Sequence, residues 1–225
     1  MPGSSADSTI LIVTPTLQEF SAAQKGLRNH RPELRIRLEK CGVGEKRAQL
    51  YCEQLAPGDI SHLMLLGWAG GISPDLAAGD VIYASEARRE GQPTLGCLKL
   101  PGLEKQIGPI LTVPSALLRP DEKQAARSNG VKAVEMEAYP MADWAHRNNV
   151  PFIHVRVILD AWNESLPDFE KEIDPSGKVH WPQLFGRFAR HPDLLLDLWK
   201  LMQRIRAVDP ILADQAEKVS SYLKI

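Results

Sequence analysis

Ile10–Val13 (ILIV) is an unbroken apolar run closed by Thr14-Pro15, and it predicts a first strand buried on both faces. Leu17, Phe20, Ala23 and Leu27 follow at helical spacing, which predicts a helix from Thr16 with those residues on its inner stripe. Leu34, Ile36 and Leu38 alternate with charged residues, the pattern of a half-exposed strand. Cys41-Gly-Val-Gly then turns the chain into a second helix, from Glu45 to about Leu55. His62–Leu66 is another apolar strand, ending in Gly67-Trp68-Ala69-Gly70-Gly71. Val81–Tyr83, Ile110–Val113, Val131–Met136 and Val150–Leu159 read as further strands. Helices are predicted over Asp121–Asn129, with Gly130 as its C′ glycine, and over Glu137–Asn149, with Pro140 accommodated in the first turn. An irregular stretch follows Asp160, and a helical tail begins near Asp193.

Apolar strands alternating with helices predict a single α/β domain over residues 1–225, built on a covered, largely parallel sheet. Residues 1–8 are expected to be flexible, and 161–225 to form a variable region with C-terminal helices. Ligands of such sheets sit beyond the carboxyl ends of the strands. Four carboxylates fall there: Glu19, Glu135, Glu137 and Asp160. Three of them also have a plain structural reading. Thr16-x-x-Glu19 is a capping box, Glu137 suits the positive end of a helix dipole, and Asp160 can cap a turn. The dipole accounts for one acid, whereas Glu135 and Glu137 form a pair around Met136.

At 225 residues the chain can bury one substantial core. Its 44% hydrophobic and 24% charged residues, with a net charge of -1, suit a soluble globular protein and give no bulk attraction to nucleic acid or an anionic membrane. Three cysteines without C-x-x-C spacing suit a reducing, cytoplasmic setting. The N-terminus lacks a basic region and a long enough apolar run for a signal peptide, and no stretch is long enough for a membrane span. The six histidines include no H-x-x-x-H pair, so neither a metal nor another cofactor is expected.

Three segments carry a resemblance. GWAGGISPDLAAGDVIYASEA (67–87) has a glycine pair at a strand end followed by a G-D-V strand. KAVEMEAYPMADWAHRNNVPFIHVRVILD (132–160) has a V-E-M-E-A junction and a V-P-F-x-x-V-R strand ending in an aspartate. ILIVTPTLQEF and CGVGEKRAQ supply a first strand, a carboxylate-bearing helix start and a G-x-G turn. Together these resemble the purine nucleoside phosphorylase and methylthioadenosine/S-adenosylhomocysteine nucleosidase superfamily, in order, over about residues 9–160. The resemblance implies one α/β domain around a mixed, partly barrel-like sheet, and a homodimer or larger homo-oligomer. It implies cleavage of the N-glycosidic bond of a purine nucleoside, with adenine as the expected base. Asp160 would be the acid assisting the leaving purine, and Glu19 the base that activates water. Glu137 would hold the ribose hydroxyls, and Met136 would pack on the sugar. Glu135 and Arg156 would stand beside them, with Trp68, Ala69, Gly70 and Leu117 completing the substrate pocket. Such a reaction develops positive charge on the sugar and negative charge on the base, which is why carboxylates and an acid are required.

Alternatives remain open at this level. Phosphate could replace water as nucleophile, since Arg47 and Arg156 are available; a protein that binds nucleosides without turnover would keep the same pocket. Trp68 stands where the resembling nucleosidases have a small residue, and could fill the core or reshape the base pocket. The tail, PSGKVHWPQLFGRFARHPDLLLDLWKLMQRIRA, is similar to a branch associated with hopanoid biosynthesis, which implies removal of adenine from an adenosyl lipid. Leu194, Leu195, Leu198, Trp199, Leu201, Met202 and Ile205 would give a broad apolar helix face, read foremost as core or subunit contact.

Overall fold

The computed structural model describes residues 9–29, 35–103, 107–128, 130–168 and 193–223. The expected flexible start, the position of Leu34 and most of the segment before the tail helix lie outside the described residues. Eight strands form one sheet: β1 (Thr9–Thr14), β2 (Arg35–Lys40), β3 (Ile60–Gly71), β4 (Val81–Arg89), β5 (Leu95–Gly96), β6 (Ile107–Thr112), β7 (Ala133–Glu135) and β8 (Phe152–Asp160). Among the described residues five α-helices accompany them: α1 (Leu17–Gly26), α2 (Glu45–Gln54), α3 (Pro120–Ala125), α4 (Ala138–Arg147) and α5 (Asp193–Tyr222).

The sheet is mixed rather than largely parallel. β1 runs parallel to β2 and β3, β3 to β8, and β6 to both β4 and β7. β3 with β7, β4 with β8 and β4 with β5 are antiparallel. β3, β8, β4, β6 and β7 therefore close into a five-stranded ring, from which β1 and β2 extend as a wing.

Alternation along the central strands sorts the core into two faces. Ile10, Ile12, Met64, Leu66, Val155 and Val157 point towards α1 and the C-terminal half of α5, where Val208, Leu212, Ala216 and Val219 are buried. Leu11, Val13, Leu63, Leu65 and Phe152 point the other way, onto Ala48 and Cys52 of α2 and Ala138, Met141, Ala142 and Ala145 of α4. Period-two alternation thus buries both faces of the same strands.

Several expectations are corrected. Leu17 is 62% exposed and Phe20 only partly buried; Ala23 and Leu27 are buried as expected, and Glu19 and Ala22 join them on the inner face. The rotation follows from Glu19, whose carboxylate is drawn inward by the hydrogen bonds described below. β3 continues through Gly67–Gly71, because those residues pair with β8 on one side and β7 on the other. Strand partners on both sides override the turn tendency of the glycines. α3 spans only six residues, and Gly130 belongs to a separate turn closed by the Val131 N–H and Ser128 O. β7 is three residues long, and β8 extends to include Asp160. Of the apolar face read on the tail, Leu195, Trp199 and Met202 are exposed among the described residues; the core face of α5 lies further along.

Candidate active site

All ten residues singled out for the site line one cavity of about 240 Å³: Glu19, Trp68, Ala69, Gly70, Leu117, Glu135, Met136, Glu137, Arg156 and Asp160. Pro15, Val43, Val113, Ala116, Leu159 and Leu166 are among its apolar walls. Arg47 is exposed and does not line it. The cavity lies beyond the carboxyl ends of β1, β3, β7 and β8, where the chain leaves each strand.

Arg156, at 0% exposure, organises the first charge cluster. Its Nη2 donates to Glu135 and, at 3.1 Å, to Glu137 Oε2; Nη1 donates to Trp68 O at 3.2 Å and Nε to His154 Nε2 at 2.9 Å. Burial disfavours the guanidinium charge, but Glu135, Glu137 and Glu19 together outweigh it and hold the group cationic. Buried His154 is pushed well below its ordinary range by desolvation and by Arg156, so it accepts as a neutral ring.

Glu135 and Glu137 differ in what they have left to offer. Glu135 Oε1 accepts from the Thr112 hydroxyl at 2.5 Å, and Oε2 from the Glu137 and Ala138 N–H groups at 2.8 Å each, besides Arg156. It therefore caps α4 and supports its neighbour. β6–β7 register puts Thr112 opposite Glu135, which is why the hydroxyl is there. Glu137 is the N-cap residue of α4 rather than part of its first turn. Among the described residues it accepts from the Gly44 N–H, at 2.8 Å, and from Arg156. Gly44 can present that N–H because it holds φ 93° at the start of α2, a conformation disfavoured for residues with a side chain. Burial, opposed by Arg156 and reinforced by Glu135, pushes the Glu137 carboxyl up to about 7.

Glu19 closes the capping box and also lines the cavity. Oε2 accepts from the Thr16 N–H at 2.8 Å and the Thr16 hydroxyl at 2.6 Å, the Glu19 N–H donates back to Thr16 Oγ1 at 3.1 Å to complete the capping box, and Oε1 accepts from the Trp68 N–H at 2.7 Å. Desolvation raises its pKa despite Arg156 and these donors. Gly67 is what lets these groups meet. A Cβ there would stand 2.4 Å from Arg156 Nη1 and 2.6 Å from Glu19 Oε1. Trp68 both packs against the core beside α1 and borders the cavity, and its indole Nε1 is buried without a partner.

Asp160 belongs to a second cluster. Its Oδ2 accepts from Lys123, a lysine at 0% exposure on α3, while Asp160 itself borders the cavity. Burial raises the Asp160 pKa, and Lys123 opposes the rise. Sequence reasoning missed Lys123: PDEKQA shows no apolar periodicity and reads as solvated, and nothing one-dimensional marks this lysine as buried. No cluster of His, Cys, Asp and Glu able to hold a metal occurs among the described residues.

A sequence model of the phosphorylase superfamily matches residues 96–176. The 5'-methylthioadenosine/S-adenosylhomocysteine nucleosidase of Listeria welshimeri is 39% identical over 176 residues, 63% of this chain and 76% of the relative. This chain belongs to the nucleoside phosphorylase and nucleosidase superfamily. The same fold recurs in the Helicobacter pylori 5'-methylthioadenosine/S-adenosylhomocysteine nucleosidase, at TM-score 0.69 and 14% identity, covering 97% of this chain and 99% of that one. It recurs also in the Helicobacter pylori futalosine hydrolase, at TM-score 0.68 and 14% identity, covering 97% and 98%. Membership explains the closed ring and the V-E-M-E-A junction together. No described helix is long and apolar enough to cross a membrane.

Proposed function

We propose that this member of the superfamily is a purine nucleosidase, hydrolysing the N-glycosidic bond of an adenine nucleoside in the cytoplasm. The observation that carries the reading is the charge inventory of the cavity: four carboxylates surround it, and its single lining cation, Arg156, is wholly buried and already bonded to two of them. An anion such as phosphate would meet the carboxylates and an Arg156 already committed to two of them, whereas a sugar turning cationic meets the field it requires. Water, not phosphate, is therefore the nucleophile that this cavity favours.

In the mechanism, Glu137 accepts hydrogen bonds from the ribose hydroxyls, held in place by Gly44, Arg156 and Glu135. Met136 and the apolar walls exclude water from the rest of the sugar. Glu19 accepts a proton from the attacking water as it closes on the anomeric carbon, and Asp160 protonates the purine as its bond breaks. The relatives support the choice of base, since most bear the name of a nucleosidase acting on methylthioadenosine and S-adenosylhomocysteine. A homodimer is the assembly expected from the family, and sedimentation equilibrium tests it.

Incubation with 5′-methylthioadenosine or adenosine in phosphate-free buffer decides between nucleophiles. Free adenine and a reducing sugar are expected. Turnover that requires phosphate and yields a sugar 1-phosphate would make the chain a phosphorylase. Tight binding with no base released would make it a nucleoside-binding protein.

A further inference from the structure

Lys123 is unusual among the charged residues around the cavity, because it is buried yet does not border the cavity itself. Its Nζ donates to Asp160 Oδ2, to Ala161 O at 2.8 Å and to Glu164 O at 2.7 Å. Three N–H groups meet three acceptors, so the ammonium is held as a tripod and the carboxylate lies between it and the cavity. Burying an ion pair costs several kcal/mol per ion before the attraction returns it, so the pair is weak evidence of a stabilising device. A lysine in that position also differs from an arginine in one chemical respect: it can give up its proton.

We propose that Lys123 and Asp160 act as one two-residue acid, in which Lys123 fixes the carboxylate and supplies the proton that Asp160 hands to the departing purine. The proposal deepens the nucleosidase reading and rests on it. As the bond between the anomeric carbon and the base breaks, its electron pair moves onto the purine. N7 of the purine takes a proton from Asp160, and Asp160 takes one from Lys123 Nζ, which becomes a neutral amine. The attacking water leaves hydroxide on the anomeric carbon and its proton on Glu19. Exchange with solvent returns a proton to Lys123 and removes one from Glu19, so the cycle balances. Lys123 never touches substrate and is a positioning residue that also stores a proton.

The charges facing the pair come from three elements. Glu164, after β8, accepts from Arg204 of α5 at 2.9 Å and from the Ala161 N–H at 2.9 Å. Glu122 on α3 is tied to the N–H groups of Leu118 and Arg119 and to the Arg119 side chain, and Asp121 to Arg119. Arg127, just beyond α3, stacks over Trp162 and donates to Ile72 O. Glu164 and Arg204 neutralise one another, which leaves Lys123 as the cation that governs Asp160.

The test is the pH profile of kcat for adenine release from 5′-methylthioadenosine by the wild-type chain, K123M and K123R. With the proton stored on Lys123, wild-type kcat should hold to a higher pH than that of the variants. K123M should lose about tenfold or more in kcat and descend at least about one pH unit earlier, because Asp160 then carries the proton alone. K123R should bind adenine as the wild type does but lose kcat like K123M, since a guanidinium holds the carboxylate without releasing a proton. Profiles of the same shape in wild type and K123M would overturn the proposal, as would restoration of wild-type kcat by K123R. Should those variants fail to fold, K123Q, which keeps a hydrogen-bond donor towards Asp160 but no ammonium proton, should lose kcat in the same way, and K123Q at the wild-type rate overturns the proposal. A wild-type chain that releases no adenine at any pH defeats the nucleosidase reading itself, an outcome distinct from these.

Discussion

In one cluster beside the cavity three carboxylates crowd a single guanidinium; in the other, one carboxylate faces a single ammonium. The first is crowded with acids, and Glu135, Glu137, Trp68 O and His154 already take four of the five N–H groups of Arg156. The second is balanced, with the ammonium held between Asp160 and the carbonyls of Ala161 and Glu164. A reaction that makes a cation of the sugar and an anion of the base needs this asymmetry: standing negative field where charge is created, a mobile proton where it is quenched.

The asymmetry can be attacked from either side. Asp160→Asn should have the largest effect, lowering kcat for an adenine nucleoside by about 100-fold or more while the circular dichroism melt stays near that of wild type. A rate within threefold of wild type would remove the acid from the second cluster. Arg156→Met strips the first cluster of its cation and leaves several buried carboxylates without one. A stability loss of about 3–5 kcal/mol in urea unfolding is expected, and no change would mean the cluster is not charged as described. Glu137→Gln keeps the shape of the sugar contact but not its charge. It should erode the preference for ribosides over 2′-deoxyribosides by about tenfold, corresponding to one charge-assisted hydrogen bond.

Subtler effects come from titration and sterics. Glu137 is raised from 4.5 to about 7, so the folded chain binds more protons than the unfolded one between those values. Stability should therefore fall as pH rises from about 4.5 to 7, the sign opposite to that of an ion-paired surface carboxylate. Over the same rise the carboxylate form needed by the ribose accumulates, so KM for a riboside should fall; a flat KM would place the sugar contact on another group. Gly67→Ala pushes a Cβ against Arg156 and Glu19 and should cost about 1–3 kcal/mol by thermal melting, whereas the same change at Gly96, which meets nothing within 4 Å, should cost little of that kind.

Much of this was legible along the chain. The carboxylates were visible because each sits where a strand ends, and strand ends are readable from apolar runs. The junction around Met136 was readable because two acids there exceed what a helix dipole asks for. Other features were not. Leu17 fits the apolar stripe of α1 by spacing, but Glu19 answers to donors from Thr16 and Trp68, one of them 49 residues away in the chain, and the helix turns to suit them. The Gly67–Gly71 segment reads as a turn until its partners on β7 and β8 are known. Lys123 had no signal at all, because burial of a lysine depends on a tertiary acceptor set that no local pattern records.

Closure of the five-stranded ring has a consequence for how activity arises during refolding. Gly70 pairs with Val134 on one side and with Asp160 on the other, so a single glycine sets the acid and the Glu135–Glu137 junction at fixed offsets along one ladder. A one-residue slip on either side would turn the acid or the junction to the opposite face of its strand. An intermediate that has collapsed but not zipped shut should accordingly be inert, and enzymatic recovery should appear only with the last joining of the hoop.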